Sequence, residues 1–176
     1  MKKKEIEKAC FAFESQLQSL GIQFEKIAAS SLPELQQKWR EVFSANVKKQ
    51  TGQWIHNGYD WHAFSYGFFP HSSGIEAIQQ YESLLTKKIR IIFASKADSI
   101  EDIFGYSLES PQKPSYDFLK NFLDEWPRLT DIFVTQANFS WTFVLTHEDF
   151  EAGLSHGSYF AMASTAVLKT SAKMAN

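Results

Sequence analysis

Two aromatic stretches constrain this chain more than anything else in it: Trp61-His62-Ala63-Phe64-Ser65-Tyr66 and Trp141-Thr142-Phe143-Val144-Leu145-Thr146-His147-Glu148. Rings set this densely have to bury against one another, and aromatic and β-branched residues suit the pleated surface of a sheet. Both stretches therefore read as strands, and alternation sorts their faces. In the first, His62, Phe64 and Tyr66 share one face, with Trp61, Ala63 and Ser65 opposite. In the second, Trp141, Phe143 and Leu145 form a core face, with Thr142, Val144 and Thr146 behind them. His147, Glu148 and Asp149 then fall at the strand end, where polar groups reach solvent without a desolvation cost.

The rest of the composition fits such a core. Among 176 residues there are 16 Phe, 6 Tyr and 5 Trp. That length suits one domain, expected over residues 1–163, with a small, polar and flexible tail over 164–176. Lys and Arg number 18 against 20 Asp and Glu, a formal net charge of -2. No basic stripe is present, so binding to nucleic acid by phosphate neutralisation is not expected. A single cysteine, Cys10, rules out an intrachain disulfide and a zinc ribbon. Its neighbours Ala9, Phe11 and Phe13 make a buried thiol the natural reading. Glu5, Glu7 and Lys8 break any apolar run after Lys2-Lys3-Lys4, and no stretch reaches the length of a membrane span. A cytoplasmic protein is expected.

Along the chain, residues 3–20 predict an amphipathic helix carrying Ile6, Phe13, Leu17 and Leu20, with Gly21 as its C-cap. Ile22 and Phe24 alternate as a short strand. Ser31-Leu32-Pro33-Glu34 and Ser73-Gly74-Ile75-Glu76 have the spacing of capping boxes, each opening a helix. The second of these helices is expected to point Ile75, Ile78, Tyr81 and Leu85 inward. Residues 46–58 read as a loop, Ile89 to Ala94 as a strand covered on both faces, residues 98–104 as a helical turn and 105–114 as a loop. Ser115 is expected to cap a further helix that Trp126-Pro127 stops. Asp131 to Thr135 and Ser140 to Thr146 predict a hairpin, and Ser158 to Met162 a last strand. Helices and strands alternate first and strands cluster last. The fold class is therefore α+β, a single mixed or mainly antiparallel sheet with about four helices packed on it.

Few residues carry recognisable chemistry. There is no nucleophile elbow, phosphate loop or dinucleotide fingerprint. The strongest catalytic candidates are His62, His147 and Glu148, since two imidazoles and a carboxylate can ligate a divalent metal or exchange protons. No helical metal spacing supports them, and neither a metal nor a cofactor is expected. His56, His71 and His156 lie in loops and read as surface residues.

The segments in series resemble a family of small bacterial domains of unknown function. Its pattern is a Trp-His-x-Phe-Ser-Tyr strand, a Gly-x-Glu-Ala helix start, and a Phe-x-Trp-Thr-x-Val-x-Thr-His-Glu strand leading to Gly-Pro-Tyr-Phe. Trp61–Tyr66, Gly74–Ala77, Phe139–Glu148 and Gly157–Phe160 match in that order, with Ser158 replacing the proline. The resemblance spans roughly Trp39 to Phe160 and leaves out the N-terminal helix and the tail. In size and architecture the chain also resembles immunity proteins of bacterial toxin systems. The reading favoured is a non-enzymatic protein-binding domain, an immunity protein whose partner is a toxin. Its binding residues would be Trp61, Tyr66, Trp141, Glu148, Asp149 and Tyr159, since Trp and Tyr anchor interfaces. The alternative is a metal-assisted hydrolase using His62, His147 and Glu148.

Overall fold

The computed structural model describes residues 3–45, 60–94, 104–109, 112–126, 131–149 and 158–164; the side chains of 3, 147–149 and 158–162 are not among what is described. Its centre is one antiparallel sheet with seven strands in the order β1-β4-β3-β5-β6-β7-β2. These are β1 (Phe24–Lys26), β2 (Ser72–Ser73), β3 (Lys88–Ala94), β4 (Phe104–Glu109), β5 (Asp131–Gln136), β6 (Trp141–Asp149) and β7 (Ser158–Ser164). The helices are α1 (Lys3–Ser19), α2 (Leu32–Phe43), α3 (His62–Ser65), α4 (Gly74–Ser83) and α5 (Tyr116–Glu125), with a 3-10 turn at Ala29–Ser31 leading into α2. The expected α+β class and single antiparallel sheet are present.

Helices cover both faces of the sheet. On the first face Ala9, Phe13 and Leu17 of α1, Tyr81 of α4 and Leu119 and Phe122 of α5 pack on Ile91, Phe93, Tyr106, Val134 and Phe143. Rings interlock there: Phe13 lies edge-on to Phe93 at 4.8 Å, and Tyr81 stacks on Phe143 at 4.3 Å. On the second face Trp39 and Phe43 of α2, Trp61 and Phe64, and Phe69 pack on Ile92, Phe133, Val144 and Ala163. Alternate residues of β6 therefore feed different cores: Phe143 and Leu145 the first, Val144 the second. The Trp39 indole donates to Thr142 Oγ1 at 3.0 Å, and Thr142 donates on to the Val134 carbonyl. A polar strand position is thus satisfied within an apolar layer.

Several sequence expectations change. The segment ending at Tyr66 is not a strand: His62–Ser65 is a single helical turn, and Trp61, His62, Ala63 and Phe64 are all buried in succession. Ring density signalled burial correctly, but burial does not choose between periods of 2 and 3.6 over so short a run. Residues 105–114 are not all loop, because Phe104–Glu109 forms β4. Phe104, Tyr106 and Leu108 fill the first core, and Gly105 between them hid the alternation. That glycine is needed: a Cβ there would lie 2.9 Å from the Ile91 carbonyl oxygen and 3.1 Å from Leu32 Cδ2. On α4, Tyr81 is buried and Ile78 packs against the core, but Ile75 and Leu85 face solvent, Leu85 being 99% exposed. The helix ends at Ser83, so Leu85 lies beyond its periodicity.

Neither capping box forms. Ser31 and Ser73 make no side-chain cap bond; Glu34 instead pairs with Lys38, and Glu76 accepts from Gln80. Ser115 does cap α5, its hydroxyl accepting from the Phe118 amide at 3.2 Å. Gly21, at φ +69°, terminates α1 with the Ile22 amide bonded back to the Leu17 carbonyl. Phe104, expected to end a helical turn over 98–104, instead opens β4, and Ser164, expected to begin the tail, ends β7. Residues 98–103 of that turn, the loop over 46–58 and the rest of the tail lie outside the described residues.

Candidate functional site: an aromatic platform on the second face

Every named position of Trp-His-x-Phe-Ser-Tyr has a physical role once the segment is a helical turn. Trp61 and Phe64 point into the second core, where Phe64 meets Trp39 edge-on at 5.7 Å. His62 and Tyr66 are one turn apart, and their rings stack at 4.9 Å and 24°. The His62 ring also lies 4.2 Å from the Trp61 ring, and Tyr66 meets Phe68 at 6.3 Å. Ser65, three residues on, places its hydroxyl 3.1 Å from His62 Nδ1. Gly67, at φ +70°, closes the turn with its amide bonded to the Phe64 carbonyl, and the Phe69 amide returns to the Ala63 carbonyl. The outcome is a short stack in which His62 is buried and Tyr66 stands 55% exposed.

A polar clasp fixes this turn to α2. Asp60, just before Trp61, accepts from Arg40 Nε at 2.7 Å and from Gln36 Nε2 at 3.0 Å. Both donors lie one turn apart on α2, so the carboxylate bridges two neighbouring positions of that helix. The pair is partly shielded, with side-chain exposures of 29% and 10% for Arg40 and Asp60. Sequence reasoning passed over these three residues. The Gln36–Arg40 spacing was visible, but its acceptor lies 20 residues beyond Arg40.

The other expected site residues divide. Trp141 is core rather than surface, buried on the first face with its ring 6.5 Å from that of Tyr81. His147, Glu148 and Asp149 are the last three residues of β6. Against β7, Leu145 pairs with Phe160 and Asp149 with Ser158. The backbone register therefore sets Thr146, His147 and Glu148 opposite the single residue Tyr159, a bulge in β6. The His-Glu and Tyr-Phe segments thus meet in the backbone, whereas the side chains of His147, Glu148, Asp149 and Tyr159 lie outside what is described. The backbone does not place His62 on the sheet at all; it stands on α3. His71 is half-buried, its Nδ1 2.9 Å from the Phe69 carbonyl oxygen and its ring 5.5 Å from that of Phe64, so it belongs to this corner rather than to plain surface. His56 and His156 lie outside the described residues.

Cys10 is buried as expected, and burial pushes its thiol up from the usual range, away from nucleophilic behaviour. Among the described residues, no group of three or more His, Cys, Asp or Glu stands ready to hold a metal ion. Among them, too, no helix is long and apolar enough to cross a membrane. Neither a curated protein nor a solved structure matches the chain. A family of domains of unknown function, DUF4275, matches over residues 11–160. That span begins within α1, so the N-terminal helix, expected to lie outside the resemblance, is about half inside it. With most of its length matched, the chain is a member of the DUF4275 family.

Proposed function

We propose that this domain binds another protein through the Tyr66 platform, and that the partner is a toxin it neutralises in the cytoplasm. The observation that supports the reading is the exposed Tyr66 ring held against His62. An aromatic side chain already fixed before binding loses little entropy on association, and rigid Tyr and Trp side chains dominate interface energies. His62 serves this arrangement by being fixed: it packs on two rings and its Nδ1 meets Ser65, which supports a structural role over that of a metal ligand. Trp61 holds the platform from within, so its part in binding is indirect. Glu148, Asp149 and Tyr159 are proposed as rim residues, the two acids steering a basic partner. The toxin assignment rests on likeness in size and architecture to immunity proteins.

The test is co-expression with the products of genes adjacent to its own, followed by calorimetry with any product that co-purifies. A toxic neighbour whose growth arrest is relieved by this protein is expected. Tyr66→Ala should weaken binding about 10- to 100-fold, the range of an interfacial hot spot. Glu148→Gln should slow association and flatten its salt dependence. Unchanged binding by Tyr66→Ala would move the interface elsewhere, and the absence of any interacting neighbour would remove the toxin reading.

A further inference from the structure

At the β1 edge of the sheet, α1 and the connection from Lys26 to Leu32 enclose a groove of about 550 Å³. Its floor and walls are mainly apolar, from Ile6, Cys10, Ile27, Leu32 and Phe104. Along α1 the groove is lined by Glu7, Phe11 and Glu14, which follow one another at i, i+4 and i+7 and so share a stripe of the helix. Phe11 is 72% exposed, a large ring left in water in the middle of that stripe. Glu14 accepts from Tyr106 Oη at 2.9 Å and from Lys26 Nζ at 3.2 Å, so Lys26 offsets one carboxylate and Glu7 leaves the groove a net charge of about -1. With Glu14 already held by Lys26 and Tyr106, Glu7 is the carboxylate along this stripe that no cation among the described residues offsets, and it stands one turn from the exposed Phe11 ring. A ring beside an unpaired carboxylate favours an organic cation, which gains from both the ring quadrupole and the ion pair.

From this charge complementarity we infer that the groove binds a small amphiphilic amine, its ammonium group at Phe11 and Glu7, away from the Lys26–Glu14 pair, and its apolar body against Ile6, Ile27 and Leu32. The size commits the site to a small molecule. Glu7 to Glu14 spans only about 10 Å of helix, too short a track for a partner helix but ample for one drug-sized ligand. No residue of this groove belongs to the Tyr66 platform, so the two readings stand or fall separately.

The experiment uses the full chain and three matched probes: 4-phenylbutylamine, 4-phenylbutanol and 4-phenylbutyrate. Binding is read from amide NMR shifts. The amine is expected to move the amides of α1 and of Ile27 to Ala29, and to bind at least about tenfold more tightly than the alcohol or the carboxylate, as a ring contact plus an ion pair requires. Glu7→Gln and Phe11→Ala, both at exposed positions, should each weaken the amine several-fold; Glu7→Gln should leave the alcohol unchanged, and Tyr66→Ala should leave the amine unchanged. Equal affinity for all three probes, shifts confined to another surface, or indifference to both groove variants would overturn the inference. So would equal binding by a blocked glycyl-arginyl-glycine peptide, since the groove would then read a protein's basic side chain rather than a small amine.

Discussion

At the scale of single residues, the tightest constraint is at Gly105. It pairs with Ile92 across the ladder, and any Cβ would press on the Ile91 carbonyl, a backbone atom that cannot step aside. Gly105→Ala is therefore expected to destabilise the fold by about 1–3 kcal/mol, the cost of overpacking, although alanine ordinarily favours regular structure over glycine. Urea unfolding would show it; a stability equal to the parent's would mean the strand has room the geometry denies. Trp39 is the complementary case, with its ring inside the second core and its indole N–H on Thr142. Trp39→Phe keeps most of the apolar volume but forfeits the donor, so a loss of about 1–3 kcal/mol is expected. Tyr66 differs from both. Its ring is mostly in solvent, so Tyr66→Ala should cost only about 1 kcal/mol, chiefly the lost contact with His62. A much larger loss would assign the ring to stability rather than to binding.

At the scale of elements, three serines preceding helices look alike in sequence, and only one acts as a cap. Ser115→Ala should lower stability by about 1 kcal/mol, because its hydroxyl holds an amide in the first turn of α5. Ser31→Ala and Ser73→Ala should change it by no more than a few tenths, since neither hydroxyl reaches an amide of its helix. Parallel thermal melts of the three variants decide; equal losses would restore the capping boxes. The contrast marks how far local sequence reaches. The longer elements were legible: α1 and α5 because each shows an apolar period over many residues, β3 and the β5–β6 hairpin because their runs are dense in apolar, β-branched and aromatic residues. The turn at His62–Ser65 was not, because four residues hold no full period and rings announce burial without announcing conformation. β4 was hidden by its own solution, a glycine admitted where Ile91 and Leu32 come too close for a side chain. At the platform, Trp61 and Tyr66 were picked out for their rings. The clasp of Gln36, Arg40 and Asp60 was not, since its parts meet only after α2 folds over the sheet. Trp141 was read both as part of a core face and as an interface ring, and the core reading is the one the fold shows, because a ring in sequence does not say by itself which side of the surface it will occupy.

At the scale of the whole molecule, the two-sided packing leaves several phenols inside, and they set the alkaline limit of the fold. Tyr81 is fully buried, with its hydroxyl donating to the Pro114 carbonyl at 2.6 Å. Tyr106, also in the core, donates to Glu14. Burial raises both phenols well above the ordinary value near 10, with nearby acidic groups adding to it. Tyr116 is pushed up to about 12, again chiefly by burial. In each case the folded chain holds its proton where the unfolded chain has released it. Below about pH 10 both states are protonated and the stabilisation is complete. Above it, unfolding frees protons, so stability falls as pH rises, by up to about 1.4 kcal/mol per pH unit for each phenol still neutral in the fold. Tyr116 ceases to contribute to that slope above about pH 12. Urea unfolding at pH 9, 10 and 11 should therefore show a steepening decline. Tyr81→Phe should start lower, because the Pro114 carbonyl loses its donor, yet decline less steeply, because one linked proton is gone. A parallel curve for Tyr81→Phe would mean that its phenol ionises as readily inside the fold as in water, which its position between Phe143 and the Pro114 carbonyl opposes.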